Sequence, residues 1–298
     1  MDRLDVLKTF IAVADRRSFA EAARHLRISP AAASRAIAAL EAELGVAVFR
    51  RTTRTVALTE EGAAYLERCR HALSELEDAA RAVRGEAADP RGALVVTAPV
   101  VFGRMHVAQV LAGLMRDHPQ LNVKLTLTDR NVHVIEEGID VAVRIGELVD
   151  STLRALQVTE VRRVLVASPD YLAASGPPET PAALQGHSLI ALDSLTPNGE
   201  WRFDKTKSRS QRIDPRLLTN DVATALDAAI RGLGIARLLS YQVVDHIAGG
   251  RLALVLEDFA PPPVPVTVLY PANRRRSANV LAFLKSARAY FHSIGPLL

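Results

Sequence analysis

Three guanidinium groups fall within five residues at Arg50-Arg51-Thr52-Thr53-Arg54, and a fourth, Arg35, stands six residues beyond Ser29. Guanidinium forks fit phosphate oxygens and the O6/N7 edge of guanine, so this pattern points to holding a polyanion rather than to bond-making chemistry. Residues 1–59 carry a net charge of +4, residues 60–89 carry −4 and the remainder +4. A basic head followed by an acidic spacer suits nucleic acid at the head, although charge alone fits a solvated surface equally well. Enzyme signatures are missing: there is no Gly-x-Ser-x-Gly elbow, no Walker loop and no His-Glu-x-x-His. Gly232-Leu233-Gly234 lacks the third glycine of a dinucleotide loop and follows a helical pattern. The eight histidines include no pair three or four apart, so local spacing suggests no metal site. The expectation is a binding protein, not an enzyme, without cofactor or metal.

The elements that would carry these arginines are legible. Leu4, Leu7, Phe10, Ile11 and Ala14 recur at helical spacing. Ser18 and Glu21 form a capping box opening a short helix through Leu26. Ser29 caps a third helix with Pro30 at its first position, Ala33, Ile37, Leu40 and Leu44 facing inward, and Gly45 at its end. Two short helices joined by a tight turn make a helix-turn-helix. The β-branched stretch Val46–Leu58 then reads as a hairpin with a basic tip, a wing.

Thr59 caps a long helix reaching Gly85, about 40 Å at ~1.5 Å per residue. Along it Leu66, Cys69, Leu73, Leu76, Ala80 and Val83 are spaced 3, 4, 3, 4, 3, a heptad seam that a second copy of the same helix would fill, the alternative being a helix packed on its own domain. Asp89-Pro90-Arg91-Gly92 breaks the helix and marks a hinge. Beyond it strands at 94–98, 122–127, 140–145, 161–167, 201–203, 234–236 and 264–270 alternate with helices at 99–116, 132–137, 169–174, 221–231, 239–248 and 277–293. That alternation predicts an α/β fold with a largely parallel sheet. The polar, basic segment 204–216 reads as an exposed hairpin or loop.

At 298 residues the chain is long enough for about two domains. Its 49% apolar and 23% charged composition excludes disordered, collagen-like and disulfide-scaffold classes. One cysteine permits no internal disulfide, the longest apolar runs fall far short of the ~20 residues that span a bilayer, and Met1–Asp5 lacks signal-peptide character. A cytoplasmic protein without a membrane partner is expected.

With those residues placed, the chain resembles the LysR-type transcriptional regulators over essentially its whole length. The resemblance is carried by Leu7-Lys8-Thr9-Phe10-Ile11-Ala12-Val13-Ala14, Ser18-Phe19-Ala20-Glu21-Ala22-Ala23, Ser34-Arg35-Ala36-Ile37, Leu40-Glu41, Leu44-Gly45-Val46, Phe49-Arg50-Arg51 and Leu58-Thr59-Glu60-Glu61-Gly62. The stretch from Asp129 to Gly146 is similar to the effector domain of one large subgroup. The family implies a winged helix-turn-helix at 1–59, a dimerising linker helix at 60–88, a hinge at 89–92 and a two-lobed effector domain at 93–298, similar to periplasmic binding proteins. Lobe I would take about 93–161 and 266–298, lobe II about 162–265. It also implies a double-stranded DNA operator, homodimers assembling into tetramers, RNA polymerase as a partner and a small-molecule co-effector.

A recognition helix enters the major groove by its N-terminal residues, here Ser29, Pro30, Ala31, Ala32, Ser34 and Arg35. Arg50, Arg51, Thr53 and Arg54 on the wing suit phosphate or minor-groove contacts. Ala36 and Ala39 stand near positions where many family members carry glutamine or basic residues, so DNA shape is expected to supply much of the selectivity. In α/β sheets ligands bind at the carboxyl ends of strands. That places Pro99, Val100, Val101, Phe102, Thr128, Arg144 and Ile145 on one side of an effector cleft and Asp221 and Val222 on the other, with Arg144 alternatively a structural partner of Asp140 or Asp129. Trp201 and Phe203 would form an apolar wall. Val101 stands at or near a position that often carries a hydroxyl, which leaves backbone N–H groups as donors and implies an apolar pocket for a small aromatic or hydrophobic acid.

Overall fold

The structure is a computed structural model that describes residues 2–51, 56–83, 89–130, 132–146, 152–203, 210–272, 274, 277–295 and 297. It divides into two compact units, Met1–Ala93 and Leu94–Leu298.

The first unit opens with α1 (Arg3–Arg16), α2 (Phe19–Leu26) and α3 (Pro30–Leu44). Ser18 Oγ accepts from the Glu21 N–H at 3.3 Å and Ser29 Oγ from the Ala32 N–H at 3.1 Å, each satisfying a helix-start donor. Arg17 and Arg27 end α1 and α2 in the left-handed region, and Gly45 does the same for α3. The wing is the antiparallel pair β1 (Phe49–Arg51) and β2 (Val56–Leu58), with Arg50 opposite Ala57. Phe10, Val13, Ile37, Leu40, Val48 and Phe49 form the core, and the Phe10 ring meets Phe49 and Tyr65 edge-on or tilted at 5.4 and 5.6 Å.

Helix α4 (Glu60–Val83) splits the seam expected of it. Leu66 and Cys69 are buried in the head's own core, so they are not free to face a second copy. Leu73 is half-buried, while Leu76 (54% exposed) and Ala80 are open. The first turns of α4 therefore belong to the head as a fourth helix, also tied to α1 by an ion pair between Arg70 and Asp15. The side chain of Val83 and residues up to Gly85 lie outside the described residues.

The second unit contains two five-stranded sheets. Lobe I uses β3 (Gly92–Ala98), β4 (Leu121–Leu127), β5 (Val141–Ile145), β6 (Arg154–Val161) and the late strand β14 (Val264–Tyr270), in the order β4-β3-β5-β14-β6. The short α5 (Val100–Phe102) runs through a π-helical turn at Gly103–Val107 into α6 (Ala108–Asp117), and α10 (Ala278–Ile294) packs on α6. Lobe II contains β7 (Arg163–Ala167), α7 (Pro169–Ser175), β8 (Leu189–Leu192), the hairpin β9 (Glu200–Arg202) and β10 (Ser210–Arg212), and β11 (Leu217–Thr219). It continues with α8 (Val222–Ile230), β12 (Ile235–Leu239), α9 (Ser240–Ala248) and β13 (Ala253–Val255), and its sheet runs β11-β8-β12-β7-β13.

Alternate residues of lobe II strands face opposite sides, and both sides are covered. Leu165, Leu189, Ala191 and Ile235 pack with Trp201 and Phe203, whereas Val166, Ile190, Leu192 and Ala236 pack under α8. Two-sided burial explains why β8 reads as an unbroken apolar run.

The sheets are mixed, not largely parallel. β3 and β5 run parallel, as do β8 with β11 and β12. β14 returns from lobe II and enters antiparallel to β5 and β6, and β7 is antiparallel to β12 and β13. Strands β6, β8, β11 and β13 are additions to the elements expected, and the helix expected at 132–137 is a series of turns closed by Gly138 at φ +66°. Segment 204–209 lies outside the described residues, while 210–212 pairs with 200–202 as a hairpin. No helix among the described residues is long and apolar enough to cross a membrane.

Lobe I encloses an ion pair. Asp140 Oδ1 lies 3.2 Å from Arg274 Nε with both side chains at most 7% exposed, and Asp140 Oδ2 accepts from the Val95 N–H at 2.9 Å. Removing one partner strands the other's charge in the interior. Asp140→Ala is expected to lower unfolding free energy by about 3–5 kcal/mol in urea denaturation, whereas an exposed pair such as Arg3–Glu43 should cost about 0–1 kcal/mol.

Candidate functional site

The head's surface is set by a junction behind it. Glu41 on α3 accepts from the N–H groups of Val48 and Phe49 at 3.0 and 3.2 Å, which pins the first wing strand to the helix before it. Thr59 Oγ1 donates to the Ala47 carbonyl at 2.8 Å and accepts from the Gly62 N–H at 2.9 Å, tying wing to α4. A Cβ on Gly62 would lie 2.0 Å from the Val48 carbonyl oxygen, so only glycine lets α4 start this close to the wing.

That frame exposes the start of α3. Ser29, Pro30, Ala31 and Arg35 are exposed, and Ala32 and Ser34 are half-buried. Arg35 forms no ion pair among the described residues, and Arg50 is exposed on β1. Ala36 is 4% exposed and faces the core, so it is no base-facing position; Ala38, Ala39 and Ala42 continue the open stripe. The Arg51 side chain, Thr53 and Arg54 lie outside the described residues.

The second unit holds a cavity of about 350 Å³ where its two sheets meet. Lobe I supplies Pro99, Thr128 and Arg144, which follow or close the carboxyl ends of β3, β4 and β5. Lobe II supplies Leu192 and Leu239 from the ends of β8 and β12, and Arg163 from the start of antiparallel β7. Ile145 and Val222 also line it.

Other expected lining residues lie elsewhere. Trp201 is fully buried in the lobe II core, its Nε1–H donating to Thr196 Oγ1 at 3.1 Å, and Phe203 packs beside it, so neither forms a cleft wall. Phe102 is buried in lobe I against Phe291 and Tyr241, with ring centroids at 5.6 and 5.3 Å. Val101 packs on the same core. The Val100 N–H already donates to Asp129 Oδ1 at 3.1 Å, so an acidic side chain occupies the backbone donor expected for a ligand. Asp221 caps α8, accepting from Thr224 N–H and Oγ1 at 2.8 and 2.7 Å, and those bonds hold its carboxyl below the usual range.

Sequence reasoning missed Asp129, Arg130, Arg163, Ser194, Tyr241 and Gln242, which make the cavity polar rather than apolar. Arg144 Nη1 donates to the Val143 carbonyl at 3.3 Å, while its buried Nη2 has no partner among the described residues. Burial pulls this guanidinium below its ordinary value, opposed by Asp129 and Glu137. Asp140, a possible partner on sequence grounds, is engaged with Arg274. Burial holds the Tyr241 phenol well above its usual value, so it stays protonated. No metal-holding cluster of His, Cys, Asp and Glu occurs among the described residues.

Residues 4–63 match the family described as bacterial regulatory helix-turn-helix protein, lysR family, and residues 87–292 match the LysR substrate binding domain. The chain belongs to the LysR family. It is a DNA-binding LysR-type transcriptional regulator with a winged helix-turn-helix and a two-lobed effector-binding domain, in a family of regulators rather than enzymes. It is 33% identical to the HTH-type transcriptional regulator PtxR of Pseudomonas aeruginosa over 288 residues, 96% of this chain and 92% of that one. It is 31% identical to the HTH-type transcriptional activator AaeR of Escherichia coli over 299 residues, covering 100% and 96%. The structure of CrgA, a LysR-type regulator from Neisseria meningitidis, superposes with a TM-score of 0.61 at 28% identity, covering 98% of each chain.

The Glu41 contacts are testable in this LysR head. Glu41→Ala leaves two wing amides without their acceptor, at an expected cost of about 1.5–3 kcal/mol. Hydrogen exchange at Val48 and Phe49 should speed up first, with Glu41→Gln intermediate.

Proposed function

We propose that this regulator reads its operator through α3 and the wing, and that a small polar organic acid bound between the lobes sets its transcriptional output. The observation that carries the effector reading is the buried Arg144 Nη2, unpartnered among the described residues, on a residue lining a cavity that also holds Arg163, the acid Asp129, and Arg130 paired with Glu137 at 3.3 Å. A carboxylate is the complement of such a fork. Thr128, Ser194, the Tyr241 phenol and Gln242 offer hydrogen bonds to hydroxyl or amide groups on the acid's body. This revises the hydrophobic acid suggested by Val101.

On the DNA side Arg35 supplies base readout and Arg50 a phosphate contact, joined by Arg51, Thr53 and Arg54. Ser29 to Ser34 carry little beyond hydroxyls and methyls, so shape contributes much of the selectivity. Half-buried Leu73 and the exposed Leu76 and Ala80 on α4 make the seam of a homodimer. Dimers pair into a tetramer that works in the cytoplasm with RNA polymerase, and the 89–92 hinge is where an effector changes the angle between head and effector domain.

Two measurements test this reading. Once genome-wide binding has located the operator, Arg35→Ala should cost about 1–3 kcal/mol and relax preference at one base step. Arg50→Ala should instead weaken binding evenly across sequences and reduce the salt slope by about one. In calorimetry with a panel of hydroxy, keto and aromatic acids, Arg144→Met should weaken the best ligand by about tenfold or more, near 1.5–3 kcal/mol, and leave folding intact. Unchanged affinity in that variant would remove Arg144 as the anchor.

A further inference from the structure

Lobe II contains a second cavity, of about 390 Å³, that the effector reading does not use. It is lined by the edge strand β13, helix α9, the turn at 257–261, the consecutive β7 residues Arg163–Leu165 and Arg237 of β12. Its size falls within the roughly 300–1,000 Å³ of small-molecule sites. Val243, Val244, Ile247 and Leu254 give it an aliphatic wall, and Val244 remains 54% exposed there.

Arg237 stands at the other side of this cavity, in the middle of β12, where Ile235, Ala236, Leu238 and Leu239 are all buried and apolar. Its side chain is itself buried, with 4% exposure. Nη2 donates to the Arg202 carbonyl at 2.6 Å, and the guanidinium lies 5.9 and 5.7 Å from the Trp201 and Phe203 rings. No carboxylate pairs with it among the described residues, and the charged neighbour that acts on it is another cation, Arg163. Burial and Arg163 pull it down to about 9 from its ordinary value. Two aromatic faces and one carbonyl only partly offset the cost of a buried charge, which an anion would complete. Arg162 and Arg163 reinforce the positive field at the cavity, and Glu257 is its one acidic lining residue.

We propose that this lobe II cavity is a second ligand site, for an organic monocarboxylate with an aliphatic body, its carboxylate meeting Arg237 and its chain lying on Val243, Ile247 and Leu254. It is chemically distinct from the polar cleft, although Arg163 lines both. It stands whether or not the cleft takes an acid.

Trp201 is the chain's only tryptophan and touches the Arg237 guanidinium, so its emission reports on the site. The experiment titrates the full-length protein with sodium octanoate, and with octanol as a neutral control, by fluorescence and calorimetry. The expected result is saturable octanoate binding that perturbs Trp201, with octanol weaker by about tenfold or more. Arg237→Met keeps an apolar stem and removes a costly charge, so it should fold while losing about tenfold or more in octanoate affinity. Ala248→Leu, which adds bulk to the lining without touching the charge, should weaken octanoate and octanol together. Arg144→Met serves as the locator: binding that survives in it belongs to lobe II, and binding lost in it alone places octanoate in the cleft and overturns the proposal. Absence of saturable binding below about 10 mM, or octanoate affinity unchanged from wild type in Arg237→Met and Ala248→Leu, overturns it as well.

Discussion

Arg144 is fixed on a strand that cannot give way. β5 lies between parallel β3 and antiparallel β14, and Arg144 stands opposite Thr267 in that ladder. Its stem is therefore held by the sheet while one guanidinium nitrogen is buried without an acceptor among the described residues. No carboxylate among the described residues meets Nη2, so on the proposed reading an acid entering from the cleft completes the site. The rest of the effector domain is arranged around that edge. β14 returns from lobe II into the middle of the lobe I sheet, so the chain crosses between lobes near Arg162 and again before Val264. These crossings lie beside the strand ends that line the cavity, which puts any lobe movement within reach of a bound acid.

The head obeys a different constraint. Its third helix, proposed to read DNA, exposes mostly alanine, and the frame that positions it is polar: Glu41 on the wing amides, Thr59 on Ala47 and Gly62, and the glycine that permits contact with Val48. Positioning is built in detail, while on the proposed reading direct readout rests on few side chains. Such a surface depends on where its backbone contacts fall, which favours shape and half-site spacing over a dense set of base contacts.

Local signals carried most of what the sequence made legible. The caps at Ser18, Ser29 and Thr59, the stop at Gly45 and the pairing of 49–51 with 56–58 act within a few residues, and they appear where their chemistry places them. The errors arose where distant chain decides. Leu66 and Cys69 share a heptad with Leu73 and Leu76, and spacing cannot tell that α1 and β1 already cover the first two. Trp201 and Phe203 read as ligand walls because the β9–β10 hairpin that buries them was not visible as packing. Arg163 and Gln242 reach the cleft through antiparallel β7 and the start of α9, a topology that strand alternation alone does not give. Asp129 was noticed only as a partner for Arg144; that it would take the Val100 amide depends on how β4 ends beside β3.

The most direct test of the account is a footprint of the full-length protein on its operator across a titration with the tightest-binding acid, wild type beside Arg144→Met. The account predicts that the protected region or the DNA bend changes at acid concentrations that fill the cleft. It predicts that Arg144→Met binds the same DNA without acid and fails to make that change. A footprint unaltered by saturating acid, or a change of equal size and midpoint in the variant, would contradict it.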